Sequence, residues 1–369
     1  MLMEVSAVRN EAPSNPHVLH VVGRYTPAKA HFLEATIRTL AHEGAAQRVI
    51  LVDSPEARTL RSALPPEVDL MLLPAGRQAL QGWGRLLAAF SAAIREPDVR
   101  AIHLHGFLTC LVCSLTVRVR RVHVPIYQTP YGSLWLDQGG LAASVLLWPM
   151  RPLLGHARPL AITSTTQEAR SLALLMKTQA EVVEYPAAEA YFHTRRDEAP
   201  HPVVVTSGDV GMGECADAFA RWAVLLGNQP LNLSFQWLGP LDPSVRARLH
   251  AAGVTLLEPK DKAERAACLA AAWIYLAPSR TPAGASGLIE AMAVGLPCVA
   301  IDTPEHREVL RDGDTGFLCR TDEEVLECMA ILVDHPHLRE QVGLTARDQA
   351  ARRFSEPSFR DSLLSAYGL

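Results

Sequence analysis

Short runs rich in Val, Ile and Leu alternate with stretches of helical period along most of the chain. That pattern predicts strands covered on both faces and joined by helices, as in a parallel sheet. The first half reads as strand His17–Val22, amphipathic helix Lys29–Glu43 and strand Val49–Val52. Further strands are predicted at Asp69–Leu73, Ala101–Leu104, Val122–Tyr127, Leu160–Thr163 and Ala180–Val183. A charged stretch with two prolines, His193–Pro202, then reads as a linker. The alternation restarts with strand Val203–Thr206, helix Gly213–Leu226, strand Leu233–Leu238 and helix Pro243–Ala252. Short strands near Val254, Ile274 and Pro297 follow, then helices Asp322–Asp334 and Pro336–Arg353, and a helical tail Ser355–Leu369. The expected fold class is α/β, with two Rossmann-like domains, 1–193 and 203–354, facing across a cleft. Ligands of such folds sit at the carboxyl ends of the strands.

A chain of 369 residues suits two domains rather than one. The net charge of −4 gives no reason to expect nucleic acid as a partner. No stretch reaches the roughly 20 apolar residues of a membrane span. The longest, Leu141–Met150, stops at Arg151 and is broken by Pro149 and Pro152. The polar N-terminal residues lack a signal-peptide apolar core, so a cytoplasmic location is expected. Of seven cysteines, Cys110 and Cys113 form a C-x-x-C among apolar neighbours with no second pair. Small core-facing residues on a helix are the expectation there, without disulfide or structural zinc.

The informative stretch is Ala277–Cys319. Pro278-Ser279, Glu290-Ala291-Met292-Ala293, Gly295-Leu296-Pro297 and Asp312-Gly313-Asp314-Thr315-Gly316 stand there in order. This run resembles the donor-site signature of the retaining GT-B glycosyltransferases, glycosyltransferase family 4. Leu338-Arg339 and Phe354-Ser355 downstream fit the same pattern. In the first half, Ile102-His103-Leu104-His105-Gly106 resembles the family's strand ending in His-x-His. The resemblance implies the GT-B fold and a last helix, 355–369, that crosses back to the first domain.

The chemistry of the stretch is legible without the family. The loop Ala283–Gly287 opens a helix whose first amides lack intrahelical partners. Those amides and the helix dipole suit a diphosphate, through the Ser286, Gly287 and Leu288 N–H groups. Ser286 is expected to cap the helix, and Gly287 to let a ligand approach the backbone. Glu290 lies one turn in on an otherwise apolar helix, where an unpartnered carboxylate would be costly. The resemblance implies that Glu290 binds the nucleotide ribose and that Gly208 and Glu308 belong to the donor site. The alternative for Glu290 is satisfaction by local backbone amides. For His105 the expected role is a strand-end histidine bonded to backbone, with Tyr131 standing where the family has a histidine near the reacting sugar. His105 and Tyr131 are the catalytic candidates.

Other positions depart from the family. Pro282 replaces the sugar-contacting Glu eight residues before Glu290, and Asp209 and Met212 replace the Arg and Lys that face the diphosphate. A carboxylate beside a diphosphate repels it. The family's glycine pair near the N-terminus maps to Pro27-Ala28, its Asn-Gly to Ala187-Ala188 and its later Gly-Gly to Pro304-Glu305. Lys29, His31, Arg280 and Arg307 are the remaining cations flanking the expected cleft.

The expected function is transfer of a sugar from a nucleotide-sugar donor to a glycan or lipid-linked acceptor in envelope or exopolysaccharide assembly. No cofactor or metal is expected, since the resemblance implies none and no Asp-x-Asp cluster occurs. The alternative is a catalytically silent GT-B protein that binds or scaffolds an active glycosyltransferase, favoured by Pro282 and the missing cations. Arg118, Arg120 and Arg121 beside apolar residues, with Trp148, suit peripheral contact at the inner membrane face. Such stretches are more often strand edges and core helices.

Overall fold

The computed structural model describes residues 17–23, 25, 27–75, 79–131, 160–163, 169–170, 180–208, 212–278 and 285–369. The chain divides into two compact units, Met1–Glu184 with Arg360–Leu369, and Tyr185–Phe359.

The first unit holds strands β1 (His17–Val22), β2 (Ala46–Val52), β3 (Asp69–Leu73), β4 (Val99–His105), β5 (Ile126–Thr129), β6 (Leu160–Thr163) and β7 (Ala180–Val182). Its described helices before β7 are α1 (Pro27–His42), α2 (Pro55–Ala63), α3 (Ala79–Ala93) and α4 (Phe107–Val119). The strands order as β3-β2-β1-β4-β5-β6-β7, every pairing parallel. Alternation along β1 divides the core. Leu19 and Val21 pack with Leu86 and Phe90 of α3 and with Cys110 and Cys113 of α4, while Val22 packs with Leu33 and Ile37 of α1. The C-x-x-C pair is thus part of an apolar core, and burial pushes the Cys113 thiol up to about 12.

The second unit begins with α5 (Glu189–His193) and β8 (Val203–Ser207), followed by α6 (Gly213–Gly227), β9 (Ser234–Leu238), α7 (Pro243–Ala251) and β10 (Val254–Leu257). It continues with α8 (Lys262–Ala271), β11 (Ile274–Ala277), α9 (Ala285–Val294), β12 (Cys298–Ile301), α10 (Pro304–Val309) and β13 (Phe317–Cys319). Helices α11 (Asp322–Asp334) and α12 (Pro336–Arg353) complete it. The sheet order β10-β9-β8-β11-β12-β13 is again parallel throughout and of the doubly wound type. The last helix, α13 (Glu356–Tyr367), ends within the first unit, where the Tyr127 hydroxyl donates to the Tyr367 carbonyl at 2.8 Å.

The stretch His193–Pro202 is not the free linker that its charge suggested. The amides of Asp197 and Ala199 donate to the carbonyls of Ala270 and Ala271, and Arg196 donates to the Ala272 carbonyl at 2.5 Å. Glu198 pairs with both Arg196 and the buried Arg339. Arg196 and Glu198 thus tie the stretch to the second unit, while Arg195 and Asp197 are exposed. Together with α5 it belongs to the second unit, whose first residue is Tyr185 rather than one beyond the predicted linker.

Candidate functional site

In the second unit the carboxyl ends of β8 and β9 turn very tightly. Gly239 has φ +128°, and a Cβ there would lie 2.0 Å from the Gly208 carbonyl oxygen. Only glycine fits. A Cβ on Gly208 would in turn lie 2.6 Å from the Trp237 ring. The Ser207 and Tyr275 hydroxyls meet at 2.9 Å between β8 and β11. Gly287 seats α9 directly on them, because a Cβ there would lie 2.2 Å from Ser207 Oγ and 2.4 Å from the Tyr275 oxygen. The room at Gly287 is therefore filled by the protein itself, which corrects the expectation that it is kept for a ligand. Ser286 is the second residue of α9 and exposed, so it lies past the capping position.

One turn further, Glu290 receives Arg265 Nε on Oε2 at 2.7 Å. The two side chains are 13% and 21% exposed, too buried for a solvated surface pair. Arg265 projects from α8, whose start is fixed by a reciprocal cap: Asp261 accepts from the Glu264 amide and Glu264 from the Lys260 amide, both at 2.8 Å. The guanidinium also reaches the Leu238 carbonyl at 3.5 Å. Burial alone would lower Arg265, but the Glu290 carboxylate holds it above its ordinary range. Burial, then the same carboxylate, pushes the Tyr191 phenol of α5 well up. Among the described residues, Glu290 is thus paired with a side chain from a neighbouring helix.

A second polar group crosses the first sheet. β1 and β4 pair with His20 opposite His103 and Val22 opposite His105. Side chains alternate along a strand, so these three histidines share one face. The same parity adds Gln47 from β2, and Tyr127 and Thr129 from β5. All three histidines are completely buried. His20 Nε2 lies 3.0 Å from Gln47 Oε1, and His20 Nδ1 lies 3.1 Å from His105 Nε2. His105 Nδ1 lies 3.1 Å from the Tyr131 hydroxyl, while His103 meets Thr129 at 2.8 Å and the Tyr367 hydroxyl of α13 at 2.6 Å. Desolvation lowers His20 to about 4 and His103 well below its ordinary value. The ring nitrogens approach within 4.8 Å of one another, near enough for a metal in principle. Each of the six already has a hydrogen-bonding neighbour, however, so the cluster is a complete network as it stands.

Residues 28–186 match the family model described as glycosyl transferase 4-like domain, and residues 202–335 match glycosyl transferases group 1. The chain belongs to the GT-B glycosyltransferases of family 4 type. A curated relative, the phosphatidyl-myo-inositol mannosyltransferase of Mycobacterium tuberculosis, is 32% identical over 125 residues. That match spans about a third of either protein, 32% of each. Anabaena HepE, solved with UDP and glucose, superposes with a TM-score of 0.75 over 96% of this chain and 100% of its own, at 14% identity. Sucrose-phosphate synthase from Thermosynechococcus elongatus superposes at 0.71 over 95% and 98%, at 16% identity. These likenesses establish the GT-B fold of two Rossmann-like domains.

Within this glycosyltransferase the expected donor residues Gly208, Ser286, Gly287, Leu288 and Glu290 lie around the carboxyl end of the second sheet, Gly208 directly after β8 and the others on α9. Glu308 is half-buried on α10, and its carbonyl accepts from Arg353 at 2.8 Å. Met212 packs on the apolar core beside α6, a place that suits a thioether rather than a phosphate-facing cation. Arg307 is drawn to Asp302 at 2.5 Å. The described neighbours of His105 include the side chains of His20 and Tyr131. Pro282, Asp209, Arg280, Trp148 and the side chains of Lys29 and His31 lie outside the described residues. Arg265, His20 and Gln47 were not anticipated. Only the every-second-residue placement of polar groups on β1, β2, β4 and β5 could have flagged the latter two.

Proposed function

We propose that this chain transfers a hexosyl group, with retention at the anomeric carbon, from a nucleoside-diphosphate sugar to a glycan or lipid-linked acceptor in envelope or exopolysaccharide assembly. The observation that carries this reading is Glu290, held on the opening turns of α9 at the carboxyl end of a doubly wound sheet. HepE, solved with UDP and glucose, and the mannosyltransferase relative support a nucleotide-sugar donor and a glycolipid acceptor.

In this reading the ribose hydroxyls donate to Glu290, and Arg265 acts as its positioning residue by fixing one carboxylate oxygen. The first amides of α9, at Ser286, Gly287 and Leu288, receive the diphosphate. Negative charge accumulating on the leaving phosphate is met by those amides and the helix dipole, without a metal. Arg265 places a cation in this corner that the Asp209 and Met212 replacements would otherwise leave short of positive charge. Gly208 lets the end of β8 pack tightly against Trp237, and Glu308 completes the donor side.

Helix α4 supports peripheral membrane contact at the cytoplasmic face. Leu108, Leu115 and Val119 are exposed along it, and the exposed Arg120 and Arg121 follow at its end. No described helix is long and apolar enough to cross a membrane.

The test is to incubate the chain with labelled UDP- and GDP-sugars and bacterial lipid extract, then measure nucleoside diphosphate release and label in the lipid fraction. Release that depends on Glu290 supports the reading. Absence of release with every donor would favour the silent scaffolding protein instead.

A further inference from the structure

Two cysteines of the second unit meet where its sheet ends. Cys319 closes β13, a three-residue strand that pairs with β12 at the edge of the sheet. Cys328 lies further along the chain, within α11. The turn between them is short and fixed. The Asp302 amide donates to the Cys319 carbonyl at 2.8 Å. The Arg320 amide donates to Glu324 Oε2 at 2.6 Å and the Glu324 amide to Thr321 Oγ1 at 3.2 Å, a reciprocal cap that sets the course of α11 as it leaves the strand. Val325, Met329 and Leu332 anchor that helix in the core that also holds Cys319, with Cys328 at the margin. Cys319 Sγ consequently donates to Cys328 Sγ at 3.7 Å.

The pair differs from the other thiols of the chain. Cys110, Cys113, Cys215 and Cys298 are buried, and burial pushes Cys113 and Cys215 up to about 12 and Cys298 up as well. Cys268 on α8 is half-buried like Cys328, but burial and then the Glu264 carboxylate push its thiol up too. Cys328 goes the other way. The Cys319 S–H holds it below the ordinary thiol range, against burial and the carboxylates of Asp312, Glu324 and Glu327. The thiolate is the form that attacks an oxidant. A half-buried sulfur held towards that form, with a fully buried sulfur in contact behind it, is an attacking thiol with its resolving partner in place. The same carboxylates oppose an anionic oxidant such as glutathione disulfide, whereas hydrogen peroxide is small and neutral.

We propose that Cys319 and Cys328 form an oxidisable dithiol that hydrogen peroxide converts to an intramolecular disulfide, fastening the edge strand β13 to α11. The Cys328 thiolate attacks one peroxide oxygen, so that an S–O bond forms and the O–O bond breaks. The departing hydroxide takes up the proton that Cys328 gave to solvent and becomes water. Cys319 then attacks the sulfenic sulfur: the S–S bond forms, the S–O bond breaks, and the hydroxyl leaves as water with the Cys319 proton. Two thiols lose two electrons in all, and one peroxide is reduced to two waters. This holds whether or not the chain transfers a sugar.

The test maps the full chain by mass spectrometry after exposure to hydrogen peroxide at pH 7, with free thiols then blocked by iodoacetamide in denaturant. Trypsin cuts after Arg311, Arg320 and Arg339, so the two cysteines fall in separate peptides, Asp312–Arg320 and Thr321–Arg339. These should stay joined, lighter by about 2 Da than the two free peptides together, until dithiothreitol parts them. Cys328 should be consumed about tenfold or more faster than Cys268. Glutathione disulfide at the same concentration should join the peptides about tenfold more slowly than peroxide, and an equal rate overturns the choice of oxidant. In Cys319→Ser, which keeps a hydroxyl donor, a sulfenic acid on Cys328 should persist and be trapped by dimedone. In Cys328→Ser, the buried Cys319 should stay reduced. Separate, alkylated peptides after exposure, a disulfide from either cysteine to another sulfur, or equal consumption of Cys268 and Cys328 would overturn the proposal. The parent chain alone decides it, so a variant that fails to fold does not leave the question open.

Discussion

The two sheets share their strand order up to the sixth strand yet handle polar groups in opposite ways. In the first, a row of fully buried side chains runs across four strands, from Gln47 through His20 and His103 to Thr129. In the second, Arg265, Glu290, Ser207 and Tyr275 gather at the carboxyl end of the strands. The first arrangement is uncharged and is satisfied by ring nitrogens, an amide and hydroxyls. The second contains a true ion pair, partly buried and beside a helix N-terminus. Charge at the strand ends suits a charged ligand, and a neutral seam suits the orientation of a hydroxyl. One fold thus hosts two kinds of polar chemistry, separated by where along the strands the polar residues stand.

The largest predicted effect breaks the charged side. Arg265→Ala leaves Glu290 partly buried without its cation and should cost about 3 kcal/mol in urea unfolding. Arg265→Met combined with Glu290→Gln should cost clearly less than the sum of the single variants. An additive result would mean that the pair is solvated and that the contrast between the sheets is overstated.

The next effect probes the neutral side through pH. Histidine in the unfolded chain takes up a proton near pH 6.5, but folded His20 does so only near about 4. Between those values the unfolded chain binds more protons, so stability falls as pH drops from about 6.5 towards 4 and then levels. The His20 contribution is roughly 3 kcal/mol across that window, and His103 adds in the same direction. Urea midpoints at pH 7 and 4.5, compared for the parent and His20→Asn, measure it.

A smaller effect tests how tightly α9 is seated. Gly287→Ala should destabilise by about 2 kcal/mol, because its Cβ would meet Ser207 and the fully buried Tyr275. Adding Tyr275→Phe removes one of the two colliding oxygens and should restore part of the loss.

Much of the fold was legible from periodicity. Asp69–Leu73, Leu160–Thr163, Asp322–Asp334 and Pro336–Arg353 fall where the pattern put them. The predicted strand Val122–Tyr127 is instead Ile126–Thr129, because the Val122 amide still closes the end of α4 on the Val117 carbonyl. Pro125 offers only its carbonyl to the sheet, to Ile102 at 3.0 Å. Strand β13 spans three residues, too few to show a period. Of the candidate site, Glu290 was visible because a carboxylate on an apolar helix is conspicuous. Arg265 was not, since on its own amphipathic helix it reads as one more solvated charge. The histidine seam needed the strand register, which decides which alternating residues from distant segments share a face.

The central claim is that the second unit carries a working nucleotide-sugar donor site organised by Glu290. Calorimetric titration of the parent and Glu290→Ala with UDP, GDP, ADP and CMP addresses it most directly. The account predicts saturable binding of one nucleoside diphosphate by the parent, weakened about tenfold to a hundredfold in the variant as charge-assisted bonds to the ribose are lost. Equal affinity in the two proteins, or no binding of any nucleotide by the parent, would contradict it.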